Sequence, residues 1–82
     1  MAYYAYLVRC RDGSYYCGYT NDLKKRVGAH NEGRGGRYTR ARLPVRLAYS
    51  EEFNTKSGAM KREHEIKRLT RSQKIALVKG IK

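Results

Sequence analysis

The chain of 82 residues has room for one thin core, because a domain of this size buries only about 60% of the surface its unfolded form exposes. Lys and Arg number 19 against 7 acids, a net charge of +12, which favours a polyanionic partner, nucleic acid first. No apolar run approaches the length of a membrane span and no charged-then-apolar leader opens the chain, so it reads as one soluble, cytoplasmic domain over residues 1–82 with no membrane partner.

Tyr3 to Cys10 and Tyr15 to Thr20 are rich in the Tyr, Val and Leu that favour strands. Between them Arg11, Asp12, Gly13 and Ser14 form a turn, and two geometries are open. A two-residue turn on Asp12 and Gly13 would pair Arg11 with Ser14 and split Tyr6 and Tyr16 between faces. A type I turn with Gly13 as the left-handed bulge residue would pair Cys10 with Ser14 and Val8 with Tyr16. The bulge is the expected form. It puts Tyr4, Tyr6, Tyr16 and Gly18 on one face and Cys10 and Cys17 on opposite faces, so no disulfide joins them. Gly18, lacking a side chain, would let a ligand's backbone approach the sheet closely.

Thr20 or Asn21 is the expected N-cap of a first helix, with Asp22 in its first turn and an end near His30. Leu23, Val27 and His30 form its inward stripe, and Arg26 points to the same side as His30, one turn earlier. A lone histidine more often packs in a core than does chemistry; its spacing from Arg26 is what favours a site. Gly33, Gly35 and Gly36 then loosen a loop carrying Arg34, Arg37, Tyr38, Arg40 and Arg42. A third strand is expected from Val45 to Ser50, closed by Glu51, Glu52 and Phe53.

Asn54 or Thr55 caps a second helix reaching about Leu69, and Thr70 with Gln73 makes a capping box for a short third helix that stops at Gly80. Glu63 is the informative acid. Ala59, Met60 and Ile66 lie at i−4, i−3 and i+3, so Glu63 sits within the apolar stripe, where an ionised carboxylate needs a cation. Arg26 or a bound metal are the two candidates, and a plain ion pair that fixes the helix is the competing structural reading.

Tyr4, Ala5, Tyr6, then Tyr16, Cys17, Gly18, then Arg26 ten residues after Tyr16, with Glu63 downstream, resemble the GIY-YIG nuclease family in its small stand-alone branch. The resemblance covers nearly the whole chain. It implies an α+β fold, a three-stranded antiparallel sheet flanked by helices in the order β-β-α-β-α-α. It also implies metal-dependent cleavage of a DNA phosphodiester, on structured or repair-related substrates. By position Tyr6 and Tyr16 match the motif tyrosines, Arg26 the catalytic arginine, His30 the histidine or tyrosine near the scissile phosphate, and Glu63 the metal ligand for Mg2+ or Mn2+. Tyr4 and Ala5 replace Gly and Ile of the first triplet, Cys17 replaces the middle isoleucine of the second, and Tyr19 stands where some members carry a lysine.

Chemically, Arg26 would bind a nonbridging oxygen and offset the charge added at phosphorus. Tyr6 or Tyr16 would orient or deprotonate the attacking water, and a metal on Glu63 would stabilise the leaving oxygen. Arg34, Arg37, Tyr38, Arg40 and Arg42 would hold the nucleic acid through its phosphates, without reading bases. Two alternatives come from other classes. One is a catalytically silent basic module binding DNA or RNA; the other is a ribosome- or repair-associated scaffold whose binding depends on a protein partner.

Overall fold

The structure, a computed structural model, describes residues 2–80. The first two strands, β1 (Tyr3–Arg9) and β2 (Tyr15–Thr20), pair antiparallel with Val8 opposite Tyr16 and Tyr6 opposite Gly18. The turn between them is the bulge form: Gly13 N–H donates to Cys10 O at 2.9 Å, Cys10 N–H donates to Ser14 O at 2.8 Å, and Gly13 has φ 86. Asp12 stabilises it by accepting from Ser14 N–H at 3.0 Å, an Asx turn.

The third strand, β3 (Arg46–Phe53), pairs antiparallel with the other side of β1, giving the sheet order β2-β1-β3. It is longer than the expected Val45–Ser50, because Glu51, Glu52 and Phe53 continue the ladder opposite Ala5, Tyr4 and Tyr3. The architecture is the α+β one, a three-stranded antiparallel sheet with helices. Among the described residues no helix is long and apolar enough to cross a membrane.

Strand alternation divides the core into two layers. On one face Tyr6, Val8, Cys10 and Val45 pack with Tyr16, Leu23, Val27 and Leu43. On the other Ala5, Leu7, Cys17 and Ile66 pack with Tyr15, Phe53, Leu77 and Val78. Cys10 and Cys17 are thus free thiols on opposite faces.

The first face is covered by α1 (Leu23–Asn31), whose N-cap is Asp22 and not Thr20 or Asn21: the Asp22 carboxylate accepts from Lys25 N–H at 3.0 Å. Asn31 ties the end of α1 to the sheet, its amide exchanging bonds with Val45 O at 3.0 Å and Val45 N–H at 2.7 Å. The Gly/Arg-rich segment also departs from expectation. It contains a one-turn helix, α2 (Arg37–Arg40), so the order is β-β-α-α-β-α-α. Gly35 does not loosen the segment: it is buried, and a Cβ there would enter the His30 ring. Glycine is needed so that the chain can cross the histidine and seat α2 above it.

The second face is covered by α3 (Lys56–Lys67), capped by Thr55, and by α4 (Arg71–Lys79). The capping box at α4 is present in full, Thr70 Oγ1 accepting from Gln73 N–H at 3.2 Å and Gln73 accepting from Thr70 N–H at 2.9 Å.

Candidate functional site

Four of the five expected catalytic residues meet on the α1 face of the sheet. Tyr6 and His30 are fully buried. The Tyr6 hydroxyl lies 2.9 Å from His30 Nε2 and accepts from Arg26 Nε at 3.3 Å. His30 Nδ1 lies 2.9 Å from the hydroxyl of Thr39, itself buried on α2, and Thr39 donates to Gly36 O at 3.4 Å. With the Thr39 proton on Gly36 O, Thr39 accepts from His30 Nδ1–H; Nε2 is then the acceptor for the Tyr6 proton, and the Tyr6 oxygen takes Arg26 Nε–H.

The charges follow from this chain. Burial raises the Tyr6 phenol above its ordinary 10.0, with the Arg26 hydrogen bond and charge opposing. Burial, and then the Arg26 cation, lower His30 below its ordinary 6.5. Both are neutral at physiological pH, and the Tyr6 bond raises Arg26 and keeps it charged. Nε of Arg26 is spent on Tyr6, leaving its other N–H groups for a ligand. Beside it lies an open depression of about 220 Å³ lined by Thr20, Asn21, Asp22, Lys25, Arg26 and Ala29.

Tyr16 stands differently from Tyr6. It is half-buried, edge-on to His30 at 5.4 Å and stacked with Tyr38 at 6.0 Å. Its hydroxyl makes no hydrogen bond among the described residues. Of the two motif phenols, only Tyr16 combines a free hydroxyl with exposure. The close approach expected at Gly18 is a correction: the space is filled from within. A Cβ on Gly18 would lie 2.5 Å from the Tyr6 hydroxyl and 2.7 Å from Cζ, so the glycine admits the Tyr6 ring and not a ligand.

Glu63 is buried, 8% exposed, but its helix α3 packs on the opposite face from Arg26. Its carbonyl accepts from Cys17 Sγ at 3.6 Å, and burial followed by the Glu63 charge pushes that thiol up to about 11. Of the two candidate cations for Glu63, Arg26 lies on the other layer; the cation beside the carboxylate is Lys67, one helical turn on, with Nζ 3.7 Å away. A helix supplies an i,i+4 partner at no topological cost, whereas α1 lies across the sheet.

That separation exceeds hydrogen-bond length, so the carboxylate keeps lone pairs for an ion. Among the described residues no three His, Cys, Asp or Glu side chains cluster as a cage. A lone carboxylate would suit only a cation that takes a single protein ligand and keeps its waters, as Mg2+ or Mn2+ can.

The expected nucleic-acid residues divide. Arg37 and Arg40 are exposed, with no carboxylate partner among the described residues. Arg34 is exposed and paired with Glu32. Tyr38 is 39% exposed, with the Arg42 guanidinium 3.9 Å above its ring. Arg42 is occupied: Nε reaches Asp12 at 3.0 Å and Nη1 donates to Tyr38 O at 2.9 Å. It is a bolt between α2 and the β1–β2 turn, and correspondingly less free to hold phosphate than its place in a loop suggested.

Sequence reasoning missed Thr39 and Lys67. A four-residue helix has no periodic stripe to mark Thr39 as inward. The signal that could have found Lys67 is its i,i+4 spacing from Glu63.

The GIY-YIG catalytic domain model matches residues 2–76. The chain is 51% identical over 76 residues to a UPF0213 protein of Staphylococcus saprophyticus, covering 93% of each. It is 52% identical over 75 residues to a UPF0213 protein of Halobacterium salinarum, covering 92% of this chain and 97% of the relative. Two solution structures share the fold. A UPF0213 protein of Bacillus halodurans aligns with a TM-score of 0.61 at 44% identity, over 96% of this chain and 84% of that one. A protein of E. faecalis aligns with a TM-score of 0.64 at 41% identity, over 98% and 85%.

Proposed function

The chain belongs to the GIY-YIG catalytic domain family, and from that membership we propose that it is a metal-dependent endonuclease hydrolysing DNA phosphodiester bonds. The observation that carries the proposal is the hydrogen-bonded run Arg26–Tyr6–His30–Thr39, in which two neutral, fully buried groups aim a permanent cation. Holding a guanidinium this way is preorganisation: its remaining N–H groups meet the added charge on phosphorus without rearranging.

In this reading Tyr6 is a positioning residue, kept protonated by burial, and Tyr16 is the phenol whose hydroxyl orients the attacking water. His30 takes the Tyr6 hydrogen bond and presents its ring edge to Tyr16. Glu63 would hold Mg2+ or Mn2+, which when bound supplies positive charge for the departing oxygen. Arg26 and Glu63 belong to opposite layers, and β2 is an edge strand. Tyr16 stands on β2 and Cys17 of the same strand touches Glu63, so a phosphodiester served by both layers would lie along the free edge of β2. Arg37 and Arg40, with Arg34 at the margin, hold flanking phosphates. With no helix presenting a set of base-reading side chains, the substrate is chosen by DNA shape, as in branched or repair intermediates, or by a partner protein.

The test is nicking of supercoiled plasmid with Mg2+ or Mn2+, alongside Arg26→Ala and Glu63→Gln. Loss of cutting in both variants supports the proposal. Cutting that survives both belongs to a contaminant and removes it.

One observation favours a second reading, a silent nucleic-acid-binding module: Glu63 already has Lys67 as counter-ion and sits on the layer away from Arg26. That reading expects salt-sensitive binding with no cleavage in any divalent metal, on DNA or RNA.

A further inference from the structure

We infer that the turn end of β2 carries a second anion site, formed by Arg71 and Lys74 of α4, that takes another backbone phosphate of the nucleic-acid strand held at Arg26. The inference rests on the nucleic-acid reading above and adds a wall to its track.

A cavity of about 210 Å³ opens there, lined by Ser14, Tyr15, Tyr38, Arg71 and Lys74. Its lining holds two cations, two phenols and a hydroxyl, and no carboxylate. Such a set offers donors and positive charge only in company with ring faces, which suits a phosphate ester and repels nothing on it. The cavity joins the two layers. Tyr38 comes from α2 on the cleavage side, and Arg71 and Lys74 come from α4 on the other.

The arginine is set in place before any ligand arrives. Arg71 Nη1 donates to Gly13 O at 2.8 Å, and its guanidinium carbon stands 5.8 Å from the Tyr15 ring centroid. One N–H is spent on the turn and the others are left to donate. Lys74 is half-buried and has no carboxylate partner among the described residues. A lysine present only for solubility gains nothing from a position at the wall of a tyrosine-lined cavity.

The link to the cleavage cluster runs through aromatic rings. Tyr38 is fixed by its stack on Tyr16 at 6.0 Å and by Arg42 at 3.9 Å. Tyr15 and Tyr16 are consecutive and point to opposite faces of the same strand. A strand seated against Tyr38 therefore runs past the Tyr16 hydroxyl in one direction and between Arg71 and Lys74 in the other.

The experiment is equilibrium binding of a short labelled DNA duplex as a function of salt, by fluorescence anisotropy. Wild type is compared with Arg71→Gln, Lys74→Gln, their double variant, and Lys79→Gln, which is exposed on the same helix outside the cavity. Each phosphate that is no longer neutralised should lower the slope of log K against log salt by about one. Because the two cations share one phosphate, the expected result is a smaller slope in each single variant, a drop of about one in the double, and none in Lys79→Gln. If Arg71→Gln loses its fold through the missing bond to Gly13, Lys74→Gln, which breaks no bond in the protein, still decides.

A wild-type slope in Lys74→Gln and in the double variant overturns the site alone. So does an equal drop in Lys79→Gln, which would mean diffuse charge. Failure of the wild type to bind DNA removes the nucleic-acid reading with it.

Discussion

The hydroxyl of Thr39 lies 2.9 Å from His30 Nδ1, and both residues are fully buried. A threonine on a one-turn helix is thereby the partner of Nδ1, and with its own proton on Gly36 O it puts the His30 proton on Nδ1 and turns the Tyr6 proton toward Nε2.

Thr39→Val keeps the shape and deletes the acceptor, leaving a buried Nδ1–H unpaired at a cost of about 1–3 kcal/mol. Urea unfolding should show that loss, and the 15N shifts of the His30 ring should lose their single-tautomer pattern. Thr39→Ser should restore both. Unchanged ring shifts in Thr39→Val would mean the tautomer is set elsewhere.

Tyr6 and Tyr16 should separate in stability and activity. Tyr6→Phe strips an acceptor from Arg26 and a donor from His30, so it should destabilise by about 1–3 kcal/mol and reduce cleavage as well. Tyr16→Phe breaks no hydrogen bond among the described residues, so stability should stay within about 0.5 kcal/mol. Its cleavage rate should nevertheless fall by about 100-fold or more, the scale of a missing water-orienting or proton-transfer group. Wild-type nicking by Tyr16→Phe would return the water to Tyr6.

Gly18→Ala distinguishes a glycine that admits a side chain from one that admits a ligand. Its Cβ would stand 2.5 Å from the buried Tyr6 hydroxyl, and overpacking at so confined a position costs about 1–3 kcal/mol. A lowered thermal midpoint together with abolished cleavage is expected. Full stability with weakened DNA binding alone would restore the open-approach role.

Stability should depend on pH through His30. Its folded value is depressed below the ordinary 6.5 by burial and by Arg26, so below about 6.5 the unfolded chain binds more protons than the folded one. The stabilisation is complete above that pH and declines as pH falls through it. Urea midpoints measured from pH 7.5 down to about 5 should drop, and the slope should flatten in His30→Gln. Asp12, lowered chiefly by hydrogen bonds from Ser14, acts in the same direction but below its ordinary 3.8, a separate window.

Much of the fold was legible because it rests on local rules. The bulge at Gly13, the two-face alternation, the inward stripe Leu23, Val27, His30, and the Thr70–Gln73 box each follow from a few neighbouring side chains. The boundaries that slipped did so where an alternative local partner won. Asp22 displaced Asn21 as cap because its carboxylate reaches Lys25 N–H, and β3 ran on to Phe53 because β1 offered it a ladder. Arg42 read as a free loop cation because its acid, Asp12, is thirty positions away.

By itself the order of residues put Arg26 and His30 on one side of their helix and favoured Tyr6 and Tyr16 on one face of the sheet, since helical spacing and strand alternation operate within a single element or a single tight turn. Tertiary structure alone decided that Thr39 closes the hydrogen-bonded chain, that the Tyr6 ring occupies the space above Gly18, and that Glu63 approaches from the other layer with Lys67 beside it. Those outcomes depend on how separate elements stack, and stacking is settled by volume, burial and the pairing of buried polar atoms across long stretches of chain, none of which leaves a periodic mark in the sequence.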